Sequence, residues 1–178
     1  MRIAIASKLQ VDGAELSDLS VATIHRVLGV PDSVEHIRLY GGGTRFREKW
    51  ERLAITVLRD EEEKEALCLL LDPVALEITV DGSALPSSEQ GFARTFSAAE
   101  RQHPHAYRMG VGDWSVLLDF SRSKKRRGVG SSQYTLSRLS ISLKSRANPE
   151  SYVTRSRHMT LVEQARGEPE TKTLPPED

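Results

Sequence analysis

Residues 51–80 read ERLAITVLRDEEEKEALCLLLDPVALEITV, and this stretch decides the fold. Leu53, Ile55 and Val57 recur at every second position, which is the period of a half-buried β-strand. The acidic segment 60–64 follows, where a hairpin turn would lie, and Asp72-Pro73 separates the next two apolar runs. We therefore predict a three-stranded meander over 51–59, 65–71 and 74–80.

The first part of this region also carries a helical pattern. Phe46, Trp50, Leu53 and Val57 recur at helical spacing, with Thr44 available as an N-cap. The pattern leaves strand and helix open for residues 45–59, and the β-branched residues at 55–57 favour the strand.

The rest of the chain adds two helices and further strands. We predict helices over Ser17–Leu28 and Ser87–Arg101, and strands over Arg2–Ala6, Val34–Tyr40, Tyr107–Val111, Trp114–Ser121 and Gln133–Lys144, with Tyr152–Val162 either strand or helix. A break in the apolar alternation near Arg138 indicates a β-bulge in the last of these strands. The predicted fold class is α+β, mainly antiparallel β-sheet (meander plus hairpins) with two helices.

Length and composition are typical of one globular domain. We assign residues 1–166 to a single α+β domain, and residues 167–178, rich in Glu, Pro, Thr and Lys, to a disordered tail. No run approaches the ~20 apolar residues of a membrane helix, and the apolar stretch at the N-terminus is too short for a signal peptide. We expect a cytoplasmic protein in which the single cysteine, Cys68, is a buried small hydrophobe.

Charge is balanced in total but unevenly distributed along the chain. The sequence has 25 basic and 25 acidic residues. Residues 60–100 hold ten acids and two bases, a net charge of −8, whereas residues 121–161 hold ten bases and one acid, a net charge of +9. Such asymmetry indicates an anionic partner, or the docking of one part of a chain on another.

The densest positive charge lies between two predicted strands, in the run RSKKRRGVG at 122–130. A loop of this composition offers ammonium and guanidinium groups to phosphates. We predict a binding protein that contacts the backbone of RNA or DNA through this loop and the basic residues after it. The predicted nucleic-acid-binding residues are Arg122, Lys124, Lys125, Arg126, Arg127, Arg138, Lys144, Arg146, Arg155 and Arg157.

Two other classes of function remain open from the sequence. Complementary acidic and basic regions also suit a protein–protein adaptor or assembly subunit, including self-association. His103 and His105 form the one close histidine pair, which leaves a small metal-dependent hydrolase or nuclease as a third hypothesis.

Gly41-Gly42-Gly43 lacks the ending of a P-loop, and Gly130-Ser131-Ser132 does not match a nucleophile elbow. We therefore predict no cofactor, metal or catalytic residue.

Overall fold

The computed structural model describes residues 1–38, 44–60, 64–122 and 134–145. These residues form two α-helices, α1 (Val21–Leu28) and α2 (Glu89–Thr95), a 3-10 helix (Glu51–Leu53) and thirteen strands. The strands are β1 (Arg2–Ile5), β2 (Leu9–Val11), β3 (Ala14–Leu16), β4 (Ser33–Arg38), β5 (Thr44–Trp50), β6 (Ile55–Asp60), β7 (Cys68–Leu71), β8 (Glu77–Val80), β9 (Ser83–Ala84), β10 (Glu100–His103), β11 (Ala106–Val111), β12 (Trp114–Arg122) and β13 (Tyr134–Leu143).

The strands form two sheets, and the predicted α+β class with mainly antiparallel pairing is confirmed. One sheet has five strands in the order β3-β2-β1-β8-β9, and only its β1–β8 pair is parallel. The other has eight antiparallel strands in the order β10-β11-β12-β13-β7-β6-β5-β4. It consists of two meanders, β4–β7 and β10–β13, which join where β7 pairs with β13.

The stretch at 45–59 is strand at both ends, so the helical alternative is wrong. β5 and β6 pair in register from Arg45 opposite Asp60 to Trp50 opposite Ile55, and the 3-10 helix connects them. Strand and helix patterns coincide over short apolar runs, so the spacing of the aromatic residues does not distinguish the two. Packing against neighbouring strands decides the outcome here.

The third strand predicted for the meander belongs to the other sheet. After β7 the chain turns at Asp72-Pro73 and continues into β8, which pairs in parallel with β1. In this pairing Ile78 lies opposite Ile3, and Val80 lies opposite Ile5. All four side chains are buried. The alternation of Ile78 and Val80 correctly indicates a strand, but alternation does not specify the partner strand.

Residues of both sheets and both helices share one hydrophobic core. It joins Ile5 of the five-stranded sheet, Val57 and Ile141 of the eight-stranded sheet, Ile24 of α1 and Phe92 of α2. Ser20 caps α1 by accepting a hydrogen bond from the Thr23 backbone N–H. Gly29 ends the helix, with φ +81°. Among the described residues, no helix has both the length and the apolar character needed to cross a membrane.

Candidate functional site at the base of the basic hairpin

The two strands that flank the basic run are paired, as the sequence predicted. β12 and β13 pair from Trp114 opposite Leu143 to Arg122 opposite Tyr134. The two strands are therefore paired up to the residues on either side of 123–133. Lys124, Lys125, Arg126 and Arg127 lie outside the described residues. The exposed Arg122 and the half-buried Tyr134 are the described residues nearest to the run.

A bulge in this hairpin separates the basic side chains onto different faces. The pairing shifts between Asp119 opposite Arg138 and Phe120 opposite Leu136, which leaves Ser137 as the extra residue of β13. This confirms the bulge predicted near Arg138. Because side chains alternate along a strand, Arg122 and Tyr134 share the core-facing side with Phe120 and Leu136, whereas Arg138 and Asp119 point to the opposite face.

Four side chains converge where the hairpin meets α2, and we call them the hairpin-base cluster: Glu89, His105, Tyr107 and Tyr134. The imidazole of His105 stacks on the ring of Tyr134, with 3.6 Å between the centroids and 11° between the planes. His105 Nδ1 lies 2.7 Å from Glu89 Oε2, and the Tyr107 hydroxyl donates a hydrogen bond of 2.9 Å to Glu89 Oε1. The Glu89 carboxylate thus orients two side chains: His105, in the turn between β10 and β11, and Tyr107, on β11.

Local backbone structure positions each member of the cluster. Glu89 is in the first turn of α2, behind its N-cap Ser88, whose hydroxyl accepts from the Gly91 N–H. The N-terminus of α2 is attached to β13 because the Leu136 N–H donates to Ser87 O at 2.7 Å. Glu89 is therefore held over the start of the strand that carries Tyr134.

His105 occupies a strained turn between β10 and β11. Its φ of +67° lies in the left-handed region, which is uncommon for residues other than glycine. The turn is held because the Phe120 N–H donates to His105 O at 2.8 Å. Backbone outliers of this kind concentrate at functional sites, where surrounding contacts maintain them.

The cluster lies against an aromatic part of the core. Phe92 of α2 contacts Tyr107 and Phe120, with ring centroids 5.2 Å and 5.5 Å apart. Burial raises the pKa of the Tyr107 hydroxyl, and the hydrogen bond to Glu89 raises it further. Tyr107 therefore stays protonated and donates to the carboxylate, whose side chain is only 16% exposed. His105 is more accessible, with 32% of its side-chain surface exposed.

The other predicted binding residues are separated from this end of the hairpin or lie outside the described residues. Lys144 follows β13 at its far end, where its Nζ donates to Gly112 O at 2.5 Å. Arg138 is four residues into β13, on the opposite face. Arg146, Arg155 and Arg157 are outside the described residues, as are the segment 152–162 and the tail 167–178. Phosphate contacts by all of these residues stay predictions.

The histidine pair does not assemble a metal centre in the part of the chain that is described. No group of three or more His, Cys, Asp or Glu side chains comes together there. His105 is engaged by Glu89 and Tyr134, while His103 is on β10, an edge strand of the eight-stranded sheet.

The role of Glu89 and Tyr107 was not predicted from the sequence. The histidine pair marks the right turn, but Glu89 is 16 residues from His105 along the chain, and no short-range pattern indicates that they meet. The predicted helix over Ser87–Arg101 also runs too far. α2 ends at Thr95, and residues 100–103 pair instead with β11, which positions the turn containing His105.

Comparison with protein-family models, curated proteins and solved structures finds no match to this chain. The functional argument therefore rests on the residues and their geometry.

Proposed function

We propose that this chain is a cytoplasmic binding protein that contacts the phosphate backbone of RNA or DNA through the basic hairpin. Arg122 and residues 124–127 supply five positive charges within six positions. Phosphate contacts by Lys and Arg release counterions condensed on the nucleic acid, which is a driving force independent of base sequence. Further phosphate contacts come from the other predicted binding residues where they reach the nucleic acid: Arg138, Lys144, Arg146, Arg155 and Arg157.

The observation that carries the proposal is the pairing of Arg122 with Tyr134. Since β12 and β13 are paired to their ends, the basic run is a connection anchored on both sides by a sheet of eight strands. Five positive charges within six positions of one connection suit contacts with several phosphates of one nucleic-acid strand.

Ion pairs within the described residues favour this proposal over an adaptor with complementary charged faces. Three acids of the 60–100 segment have basic partners from other parts of the chain: Asp60 with Arg45, Glu77 with Arg2, and Glu89 with His105 when that histidine is protonated. None of these bases belongs to the 121–161 segment. These three acids thus have partners that lie outside the 121–161 segment.

The direct test is a polarisation titration with a labelled 20-nucleotide RNA and a DNA of the same sequence. The wild-type chain should bind both, and the logarithm of affinity should fall with the logarithm of salt concentration at a slope of roughly −4 to −5 if about five phosphates are contacted. Reversing the charges of Lys124, Lys125, Arg126 and Arg127 to Glu should abolish binding.

A matched control reverses four exposed bases away from the hairpin: Arg26, Arg38, Arg52 and Lys64. It imposes the same change in net charge, so retained binding in this control would assign the effect to the hairpin itself. Equal affinity of the hairpin variant and the wild-type chain would refute the proposal. Light scattering at low and high salt completes the test, because salt-sensitive self-association without nucleic-acid binding would support the adaptor instead.

A further inference from the structure

We infer that the chain forms a symmetric dimer in which β4 of one copy pairs antiparallel with β4 of a second copy. The eight-stranded sheet then continues from one copy into the other. A strand at the edge of a sheet has unpaired N–H and C=O groups along one side, and these groups pair readily with another strand. The dimer does not depend on nucleic-acid binding.

β4 differs from the other edge strands of the fold. In the part of the chain that is described, the edges are β3 and β9 in the smaller sheet and β10 and β4 in the larger one. Short length and bulges protect an edge from pairing with another chain. β3 has three residues, β9 has two, and β10 carries a bulge between Arg101 and His103. β4 has six residues and keeps one unbroken register with β5 over its whole length.

The side chains of β4 also leave the edge open to a partner. Its sequence, SVEHIR, contains neither proline nor lysine, the residues that commonly protect edges. Its one acid, Glu35, is already paired with Arg47 and Lys49 of β5. Val34 is 45% exposed, and among the described residues it is the one exposed large hydrophobic side chain that lies in a strand. A second strand beside β4 would cover it.

Two-fold symmetry restricts how β4 can pair with itself. Directly opposed residues of an antiparallel pair point to the same face, and alternate residues of a strand share a face. Each residue therefore lies opposite its own copy or opposite a residue an even number of positions away. An axis at Glu35 would oppose two carboxylates, and an axis at Ile37 would pair only three of the six positions of the strand.

An axis at His36 avoids both problems. It pairs five of the six positions, with Val34 opposite Arg38 of the second copy and Glu35 opposite Ile37 of the second copy. The aliphatic part of the arginine can cover the valine while its guanidinium stays in water. Neither Glu35 nor Arg38 then lies directly opposite a like charge. Main-chain hydrogen bonds and apolar contacts hold this dimer, so it should persist in high salt.

The first test uses the wild-type chain alone. One pair of strands makes a small interface and weak association, so the mass is followed by sedimentation equilibrium from about 1 to about 500 μM chain. We expect it to rise with concentration from the 19.8 kDa of one chain toward twice that value, in low and in high salt. A chain that stays monomeric at every concentration, or a dimer that high salt abolishes, would overturn the inference.

Charge variants test the register. Val34→Lys places a lysine opposite Arg38 of the second copy, twice in each dimer, and should weaken association about tenfold. Adding Arg38→Glu converts both like-charge pairs into opposite-charge pairs and should restore association. The matched control is Val74→Lys, since Val74 is 87% exposed in the turn between β7 and β8 and should have no effect. Unchanged association of Val34→Lys would show that the copies do not meet at β4.

Cysteine variants locate the axis. His36→Cys places two thiols directly opposite each other, within reach of a disulfide, so oxidised glutathione should convert this variant to a covalent dimer. Val34→Cys is its control, because its two copies would lie about 13 Å apart along the strands and should not cross-link. The native Cys68 is buried. Cross-linking of both variants, or of neither, would refute the axis at His36.

Two further points make the tests decisive. Each variant is compared with the wild type by melting temperature, so that a loss of association is not confused with unfolding. No nucleic acid is present in any of these measurements. A monomeric wild-type chain would therefore refute the dimer and leave the proposed function standing, whereas failure to bind nucleic acid would leave the dimer standing.

Discussion

Glu48 shows how a single buried charge is accommodated in this fold. Its side chain is only 3% exposed on β5, where it accepts hydrogen bonds from Arg59 Nε at 2.7 Å and His25 Nε2 at 2.9 Å. The guanidinium of Arg59 also lies 4.1 Å from the ring centroid of Phe46, which adds a cation–π contact. The carboxylate is thus paired, as a buried charge must be to avoid a large desolvation penalty.

We predict that Glu48→Gln lowers the free energy of unfolding by about 3 kcal/mol near pH 7, because Arg59 keeps its charge with no carboxylate to pair it. Burial raises the pKa of Glu48, but the hydrogen bonds to His25 and Arg59 outweigh burial and hold the pKa below its ordinary value of 4.5. This contribution to stability is therefore present above pH 4.5 and is lost as pH falls through the lower folded value. Urea unfolding from pH 7 to pH 3 should show the wild-type and variant curves converging in acid.

Glu35→Gln is the matched control. Glu35 pairs with Arg47 and Lys49 of the adjacent strand, but its side chain is 42% exposed. An exposed pair of this kind contributes roughly 0–1 kcal/mol. If Glu35→Gln destabilised the protein as much as Glu48→Gln, burial would not be the cause of the larger effect.

At the level of single residues, the burial of Cys68 could be predicted from the sequence and the burial of Glu48 could not. The apolar neighbours of Cys68 predicted a buried thiol, and the thiol is fully buried, which raises its pKa to about 12. The burial of Glu48 was not predictable. A carboxylate in the alternating pattern of a strand normally marks the solvent face, and only its contacts with α1 and β6 show that it is covered.

At the scale of the elements, one turn of the eight-stranded sheet closely approaches the five-stranded sheet. Gly112 lies in the two-residue turn between β11 and β12, with φ +54°. A Cβ at this position would come within 2.8 Å of Ser7 Cα and 3.2 Å of Ala6 O, in the connection between β1 and β2. The absence of a side chain therefore allows a turn of the eight-stranded sheet to approach the backbone of the five-stranded sheet.

We predict that Gly112→Ala destabilises the protein by about 3 kcal/mol, which combines left-handed strain of roughly 1–2 kcal/mol with the steric cost of displacing backbone. Gly82→Ala is the comparison, because Gly82 has φ +77° but nothing within 4 Å of its added Cβ. That variant should lose only the strain contribution. Urea unfolding followed by tryptophan fluorescence measures both, and equal losses would show that the close approach to Ser7 is unimportant.

Element type was easier to predict than element extent. Apolar alternation and turn dipeptides identified β6, β7, β11, β12 and β13. The first helix was predicted over Ser17–Leu28, and α1 ends at Leu28 as predicted but begins only at Val21. The hairpin of β2 and β3 was missed, although Asp12-Gly13 is a strong turn signal with positive φ at both residues. The excess length predicted for α2 has a different cause, since residues 100–103 have no strand signal of their own and are extended by pairing with β11.

At the scale of the whole molecule, the two sheets share one core. Buried residues from both sheets and both helices belong to a single contiguous cluster. Elements that share a core lose their stability together, so this arrangement favours a single cooperative unfolding transition.

We predict that far-ultraviolet circular dichroism and tryptophan fluorescence report the same unfolding midpoint. Trp50 and Trp114 are both in the eight-stranded sheet and 2% exposed, whereas the dichroism signal comes from both sheets. Ile78→Ala in the five-stranded sheet should lower the free energy of unfolding by about 2–5 kcal/mol and therefore lower both midpoints equally. A variant that shifts the dichroism midpoint while leaving tryptophan fluorescence unchanged would show that the sheets unfold separately.

The sequence by itself determined the strand-rich α+β class, the bulge near Arg138, and the location of the dense positive charge between two strands. These are local properties, since side-chain period, turn residues and charge runs are encoded by neighbours along the chain. Only the tertiary structure decided that β8 joins the other sheet, that α2 ends at Thr95, and that Glu89, His105, Tyr107 and Tyr134 meet. Each of these depends on contacts between residues far apart in sequence, which no local pattern specifies.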